Sequence, residues 1–211
     1  MKIIKKFKSK KNNVFLVKQS HKKKVVKQFK ERNKFEKELE VYKGLDGCLN
    51  LVPKLYSYDL TKKEFCIEYI EGDTLIEYLE YAENDKRYDD AIDILIGLIN
   101  WVNRFHSCNL LGIKNHVLYD VNFKNFIISN NKIFGLDFED VKEGNFLDDF
   151  IKVLSMYLYY DPIKSKFKIK VFNRLVTYFS NEFDICKNQV LSLVRLEETN
   201  ILQRRSRYKS I

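Results

Sequence analysis

The stretch YDVNFKNFII, residues 119–128, places Asp120 and Asn125 on either side of a short loop that runs into an apolar segment. Residues 133–140, IFGLDFED, follow after an Asn-Asn turn and place Asp137 directly behind a second apolar segment. Two such segments joined by a short turn predict a β-hairpin. Because the hairpin starts near Asn125 and ends near Asp137, we expect all three polar side chains to meet at one edge of it.

This set of side chains suits phosphoryl transfer. One carboxylate can orient or deprotonate an attacking hydroxyl, while a second carboxylate and an amide oxygen are hard ligands for magnesium on nucleotide phosphates. The pair Asp120 and Asn125 is not specific by itself, because an Asp followed five residues later by an Asn also fits a capped turn. Other elements of the chain are therefore needed to choose between the two interpretations.

Three further features precede this stretch along the chain. Lys27 follows two valines at the end of a predicted strand, and Glu38 lies on a predicted amphipathic helix over residues 31–45. A later apolar strand ends near Glu68, and the backbone from Glu68 to Ile70 has the form of a connection that pairs with adenine. Together with the loop and the hairpin, these features stand in the chain order of an ATP-dependent phosphotransferase.

Simpler interpretations of these charges remain open. Lys27 is also compatible with a solvated strand lysine, since three lysines stand just before it, and Glu38 with a surface ion pair to Lys34 or Lys37. Asp149 is interpreted as structural, with a carboxylate that holds the backbone of the candidate catalytic loop by hydrogen bonds.

The apolar spacing divides the chain into two parts and predicts an α+β fold. Residues 1–70 contain short β-like runs separated by polar turns, which predict an antiparallel sheet with one helix over 31–45. Residues 71–211 are mainly helical and carry the loop and the hairpin. We therefore predict a small β-rich N-terminal lobe and a helical C-terminal lobe, with helices over 73–83, over 88–109 and from 148 onward.

In its motifs and their order, the sequence resembles the protein-kinase-like superfamily, in the style of its aminoglycoside phosphotransferase, choline kinase and lipopolysaccharide kinase branch. The resemblance is most specific over residues 117–150 and implies a two-lobe protein-kinase-like fold that binds ATP and Mg²⁺. It implies these roles: Asp120 as the catalytic aspartate, Asn125 and Asp137 as metal ligands, Lys27 as the phosphate lysine, Glu38 as its partner, and Glu68 and Ile70 as the adenine-binding backbone.

The sequence departs from the family pattern in several places. None of the seven glycines lies in the first three predicted strands or their turns, so Ser9–Asn13 would have to replace the glycine-rich phosphate loop. A Leu-Tyr pair precedes Asp120 where the family has a histidine followed by Gly or Arg, and Lys124 is the candidate for the γ-phosphate. Glu139 stands where protein kinases have a glycine, and Asp140 behind it is interpreted as a solvated acid.

The expected function is transfer of the γ-phosphate of ATP, with magnesium, to a hydroxyl group of a small molecule, for which an anionic compound is one option. One alternative is a compact atypical protein kinase with a protein substrate. Another is a chain without catalysis, either a nucleotide-binding pseudokinase or a module that binds RNA or another polyanion through its Lys-rich N-terminal lobe.

Charge, cysteine content and hydropathy limit the kinds of partner and cellular location that we expect for the protein. The formal net charge is +9, and residues 1–34 contain 14 basic residues against one acid, which favours an anionic partner. The four cysteines lie far apart, which predicts reduced and mostly buried thiols in a cytoplasmic protein. No apolar run of about 18 residues occurs, so we predict no membrane span.

Overall fold

A five-stranded antiparallel sheet forms the N-terminal part of the structure. The computed structural model describes residues 2–9, 11–48, 50–110 and 112–209. The strands run in the order β1-β2-β3-β5-β4, and their bounds are Lys2–Phe7 (β1), Asn13–Gln19 (β2), Lys22–Gln28 (β3), Leu55–Asp59 (β4) and Glu64–Glu68 (β5). The two residues between β2 and β3 both have positive φ, which matches the twist of a tight hairpin. The predicted antiparallel sheet is confirmed.

One helix, α1 (Arg32–Leu45), packs against this sheet. Its buried apolar side chains include the four that the helical spacing predicts: Phe35, Leu39, Tyr42 and Leu45. The rings of Phe35 and Tyr42 lie 6.5 and 5.4 Å from the ring of Phe65 in β5. These ring contacts fix the rotation of α1 about its axis. Glu38 on the same helix is therefore buried as well, with 1% of its surface exposed.

Helices make up most of the C-terminal part. In the described residues they are α2 (Leu75–Asn84), α3 (Tyr88–Ser107), α4 (Phe146–Tyr159), α5 (Lys166–Glu182) and α6 (Lys187–Lys209). Trp101 of α3 is buried in the core, stacked on Phe105 and Phe138 and edge-on to Phe126. Because Phe126 and Phe138 lie in and just after the predicted hairpin, α3 holds that hairpin by direct ring contacts.

Short strands carry the loop and the hairpin. β6 (Asp73–Thr74), β8 (Phe126–Ser129) and β9 (Lys132–Gly135) form one small sheet, and β7 (His116–Val117) pairs with β10 (Lys142–Glu143). The β8–β9 hairpin confirms the prediction, and both asparagines of its turn have positive φ, which asparagine tolerates better than most residues. The helix predicted from residue 73 begins two residues later, because residues 73–74 pair with β8.

These elements confirm an α+β fold with a five-stranded antiparallel sheet and a mainly helical remainder. The arrangement is compatible with two lobes, and the protein-kinase-like identity of the fold stays a prediction. Among the described residues, no helix combines the length and the apolar character that crossing a bilayer requires.

The prediction of four reduced cysteines is wrong. Cys48, just beyond α1, and Cys108, just beyond α3, form a disulfide, with their Cα atoms 5.9 Å apart. Their separation of 60 residues hid this proximity, which arises because the end of α1 packs on the segment after α3. A Cβ atom on Gly44 would lie 2.9 Å from the side chain of Leu110. Cys66 is half-buried and Cys186 is exposed, and both are free thiols.

Candidate functional site

Lys27 of β3 lies at the centre of a buried charge cluster. Its Nζ atom lies 2.7 Å from Oε2 of Glu38, 2.6 Å from Oδ1 of Asp137 and 3.8 Å from Oε2 of Glu139. Glu38 comes from α1, and the other two carboxylates come from the segment after β9. We call these four residues the Lys27 cluster. It unites three residues that the sequence singled out, and the surface interpretations of Lys27 and Glu38 are wrong.

Three carboxylates share one ammonium group in the Lys27 cluster. Burial raises the pKa of Glu38 to about 7, with a further contribution from the charge of Asp137 and opposition from Lys27. Burial works against the charged form of Lys27, but the carboxylates of Glu38 and Asp137 outweigh it and raise the pKa of this lysine. Lys27 therefore stays charged at neutral pH, whereas Glu38 can take up a proton.

Asp137 and Asn125 lie side by side where the hairpin begins and ends. The N–H group of Leu136 donates to the backbone carbonyl of Asn125 over 2.7 Å, so the chain reaches Asp137 next to Asn125. Asp137 has a φ of 62°, a left-handed conformation that costs energy in a residue other than glycine. This backbone contact brings the chain at Asp137 close to Asn125, and the meeting of their side chains stays a prediction.

Asp120 is exposed on the loop after β7. Protein atoms that displace water from its carboxylate raise the pKa of Asp120, and the negative charges of Asp137 and Asp140 raise it further. Lys11 and Lys152 act in the opposite direction. The third predicted carboxylate is thus within electrostatic range of Asp137.

Asp149 of α4 anchors the loop that carries Asp120. Its Oδ2 atom accepts the N–H group of Leu118 over 2.6 Å, and its Oδ1 atom accepts that of Tyr119 over 3.1 Å. Oδ2 also lies 2.9 Å from Nε2 of His106, and the Asp149 side chain is fully buried. The structural role predicted for Asp149 is confirmed.

Lys124 lies on a one-turn 3₁₀ helix, Phe123–Asn125, that connects the loop to β8. The side-chain oxygen of Asn122 caps this turn by accepting the N–H group of Lys124 over 3.0 Å. The Lys124 side chain is exposed, and its positive charge contributes to lowering the pKa of Glu77 in α2. The structure thus keeps Lys124 outside the Lys27 cluster, at the surface next to Asn125.

Glu68 and Ile70 lie at the end of β5 and just beyond it. The N–H group of Glu68 donates to the carbonyl of Lys54 over 2.9 Å, and the Glu68 carboxylate accepts the N–H group of Lys54. No backbone hydrogen bond involves Ile70 in the part of the chain that the structure describes. Ile70 is half-buried, and its N–H group has no backbone partner among these residues.

The turn between β1 and β2 reaches the segment after Asp137, a contact that sequence reasoning missed. Lys11 donates to Glu139 over 2.7 Å and to Asp140 over 3.1 Å, while the Asn12 amide donates to Glu139 over 2.8 Å. Burial of Glu139 is outweighed by these hydrogen bonds and by Lys27, so its pKa is lowered. Residue 10 of the predicted Ser9–Asn13 turn lies outside the described residues.

The interpretation of Asp140 as a solvated acid is wrong. Its carboxylate forms ion pairs with Lys34 of α1 and with Lys11, and its side chain is 23% exposed. Burial opposes ionisation, but the two lysines prevail and lower the pKa of Asp140. Asp140 therefore joins α1, the β1–β2 turn and the segment after β9.

Two sets of oxygen atoms in this site could bind a cation, one inside the Lys27 cluster and one accessible from outside it. Carboxylate oxygens of Glu38, Asp137 and Glu139 lie within 4.8 Å of one another, but the ammonium group of Lys27 already contacts all three side chains. The side chain of Asp137 is 40% exposed and Asn125 is half-buried, so both are accessible from outside the cluster. Their carboxylate and amide oxygens are the ligand types that magnesium takes.

No protein-family model matches the chain, and no curated protein matches it at a significant level.

Proposed function

We propose that this protein is an ATP- and magnesium-dependent phosphotransferase that moves the γ-phosphate of ATP to a hydroxyl group of a small molecule. The observation that carries the proposal is the position of Lys27 between Glu38 and Asp137. The charge of Asp137 also acts on Asp120 and contributes to raising its pKa. Phosphoryl transfer requires a cation for the phosphates, an accessible carboxylate for the metal and a carboxylate that accepts the proton of the acceptor hydroxyl. Lys27, Asp137 and Asp120 would take these three roles.

Nucleotide binding follows from the positions of Lys27 and of the end of β5. Glu38 holds the ammonium group of Lys27 at 2.7 Å, so the cation is already positioned to bind the α- and β-phosphates. The carbonyl of Glu68 and the N–H group of Ile70 would pair with the adenine ring. In this arrangement the sheet and the helical part act as two lobes of a protein-kinase-like fold.

Phosphoryl transfer requires a base for the acceptor hydroxyl. Asp120 takes the proton as the hydroxyl oxygen bonds to the γ-phosphorus, and the bond from phosphorus to the bridging oxygen breaks with its electron pair going to ADP. The raised pKa of Asp120 makes its carboxylate a better proton acceptor than an unperturbed aspartate. Magnesium held by Asn125 and Asp137 would offset the negative charge of the phosphates.

A thermal stability assay tests nucleotide binding. We expect ATP with magnesium to raise the melting temperature of the wild type, because a ligand that binds only the folded state stabilises it. ATP without magnesium should have a smaller effect, and Asp137→Ala should abolish the magnesium-dependent shift. Asp89→Ala, an exposed position in the first turn of α3, is the matched control and should keep the full shift.

Turnover separates catalysis from binding. Asp120→Asn should keep the magnesium-dependent shift but lower the rate of ADP formation with an acceptor by about 100-fold or more. Wild-type turnover in Asp120→Asn, or the absence of any nucleotide-dependent shift in the wild type, would refute the proposed function.

A further inference from the structure

Two lysines converge on the tyrosine that precedes Asp120. Nζ of Lys142 lies 3.5 Å from the centre of the Tyr119 ring, and Nζ of Lys152 lies 4.5 Å from it. Lys152 also donates a hydrogen bond to the Tyr119 carbonyl over 3.1 Å. We call Tyr119, Lys142 and Lys152 the Tyr119 cluster. It joins β10, α4 and the loop that carries the candidate catalytic residue.

The Tyr119 cluster carries two positive charges. Neither lysine forms an ion pair within the described ranges of the chain. The two ammonium groups lie at most about 8 Å apart, since both are close to one ring centre. Like charges at this separation repel each other, so an anion bound close to both ammonium groups would relieve the repulsion.

The loop geometry presents this charge next to Asp120. Tyr119 has a φ of 66°, and its N–H group donates to Asp149, so its position is set by the buried carboxylate of that residue in α4. The tyrosine is 50% exposed, which leaves the cluster open to solvent. The charge of Lys152 also acts on the Asp120 carboxylate. A ligand bound to the lysines would therefore lie beside the group that takes the acceptor proton.

We infer that the Tyr119 cluster binds an oxyanion group of the acceptor, so that the substrate is a small hydroxyl compound that also carries a phosphate or a carboxylate. This inference rests on the proposed phosphotransferase function and narrows its substrate class. Lys142 and Lys152 bind the oxyanion, and the hydroxyl of the same molecule points to Asp120. A cationic acceptor, such as an aminoglycoside or choline, is repelled at this position.

Nuclear magnetic resonance of tyrosine-labelled protein tests the site directly. The protein is first saturated with magnesium and a non-hydrolysable ATP analogue, and the Tyr119 signal is assigned by its loss in Tyr119→Phe. Sulfate is then added at constant ionic strength, followed in separate samples by glycerol 3-phosphate and by choline. We expect saturable shifts of the Tyr119 signal with sulfate and with glycerol 3-phosphate, and none with choline.

Charge-removing variants connect the shift to the two lysines. In a protein with both Lys142→Gln and Lys152→Gln, the dissociation constant for sulfate should rise about tenfold or more. The matched control combines Lys132→Gln with Lys187→Gln, two exposed lysines outside the cluster, and should bind sulfate as the wild type does. Circular dichroism and melting temperature establish that both double variants are folded.

The outcomes separate this inference from the proposed function. If the nucleotide analogue binds but sulfate leaves the Tyr119 signal unchanged, or if choline shifts it saturably, the oxyanion site is refuted while the phosphotransferase proposal stands. Equal sulfate affinity in the two double variants would refute the role of Lys142 and Lys152. If sulfate binds but no nucleotide does, the phosphotransferase proposal fails, and the acceptor role of the cluster fails with it.

Discussion

Nζ of Lys27 in β3 lies 2.7 Å from Oε2 of Glu38 in α1, and neither side chain is more than 10% exposed. Asp137 and Glu139 add two further carboxylates around the same ammonium group, so negative charge is in excess. Because Lys11 already pairs with Glu139, removing a proton from Glu38 leaves one carboxylate charge of the cluster without a matching cation in a mostly buried setting, which is costly. The ionisation of Glu38 should consequently be visible in the stability of the whole protein.

We predict that the stability advantage of the wild type over Glu38→Gln falls as the pH rises. The folded-state pKa of Glu38 is about 7, above its ordinary value of 4.5, so the folded protein binds the proton more tightly than the unfolded chain does. The resulting stabilisation is fully present below pH 4.5 and is lost as the pH rises through 7, a change of roughly 2 kcal/mol between pH 5 and pH 8. Urea denaturation of both proteins over this pH range measures the difference.

Glu36→Gln is the matched control for this experiment. Glu36 lies on the same helix but is exposed and pairs with Arg32 at the surface. The stability of Glu36→Gln relative to the wild type should therefore change little with pH between 5 and 8. Parallel pH profiles for the wild type and Glu38→Gln would contradict a raised pKa of Glu38 in the folded protein.

Asp149→Ala should be strongly destabilising, whereas Asp148→Ala should not. The first substitution removes a fully buried carboxylate that accepts two backbone N–H groups and contacts His106, at a cost of about 3 kcal/mol or more. Asp148 is exposed in the same helical turn, so its loss should cost less than about 1 kcal/mol, chiefly through the helix dipole. Equal urea midpoints for the two variants would show that Asp149 does not anchor the loop.

The elements around the site were predictable because local interactions define them. The helical spacing of apolar residues predicts α1 and its buried face, and a pair of asparagines predicts the β8–β9 turn. The same is true of the edge where Asn125 and Asp137 meet, since a hairpin register relates its two ends directly. Each of these inferences needs only residues that are close along the chain.

The contacts that the sequence did not reveal join residues far apart along the chain. Lys11 and Asn12 bind Glu139 across 128 and 127 positions, and Lys34 binds Asp140 across 106 positions. No local pattern distinguishes Lys11 from the other exposed lysines of the N-terminal region. Only the docking of the β1–β2 turn on the segment after β9 selects it.

Gly135→Ala should destabilise the protein through Trp101. A Cβ atom at this position would lie 2.3 and 2.6 Å from two atoms of the indole ring, so the ring or the hairpin must move. The indole nitrogen and the Gly135 N–H group both donate to the carbonyl of Leu51, which restricts that movement. We expect a loss of about 1 to 3 kcal/mol, as for other overpacked cores. The fluorescence of Trp101, the single tryptophan, reports both unfolding and the local change.

Gly97→Ala is the control for this substitution. Gly97 lies inside α3, and its added Cβ atom would make an ordinary contact of 3.4 Å with Ile133. Alanine is the better helix former, so this variant should be unchanged or more stable by about 0.5 to 1 kcal/mol. A stability of Gly135→Ala equal to that of Gly97→Ala would contradict the close packing of the hairpin on Trp101.

The disulfide predicts a thiol count that depends on reduction. Protein purified without reductant and then denatured should expose two reactive thiols, those of Cys66 and Cys186, and should expose all four only after reduction. Because the bond closes a loop of 60 residues, Cys48→Ser should lower the stability of the oxidised protein by about 4 kcal/mol and leave that of the reduced protein little changed. Cys186→Ser, at an exposed free cysteine, should have no comparable effect. Four reactive thiols before reduction would show that α1 and α3 are not covalently joined.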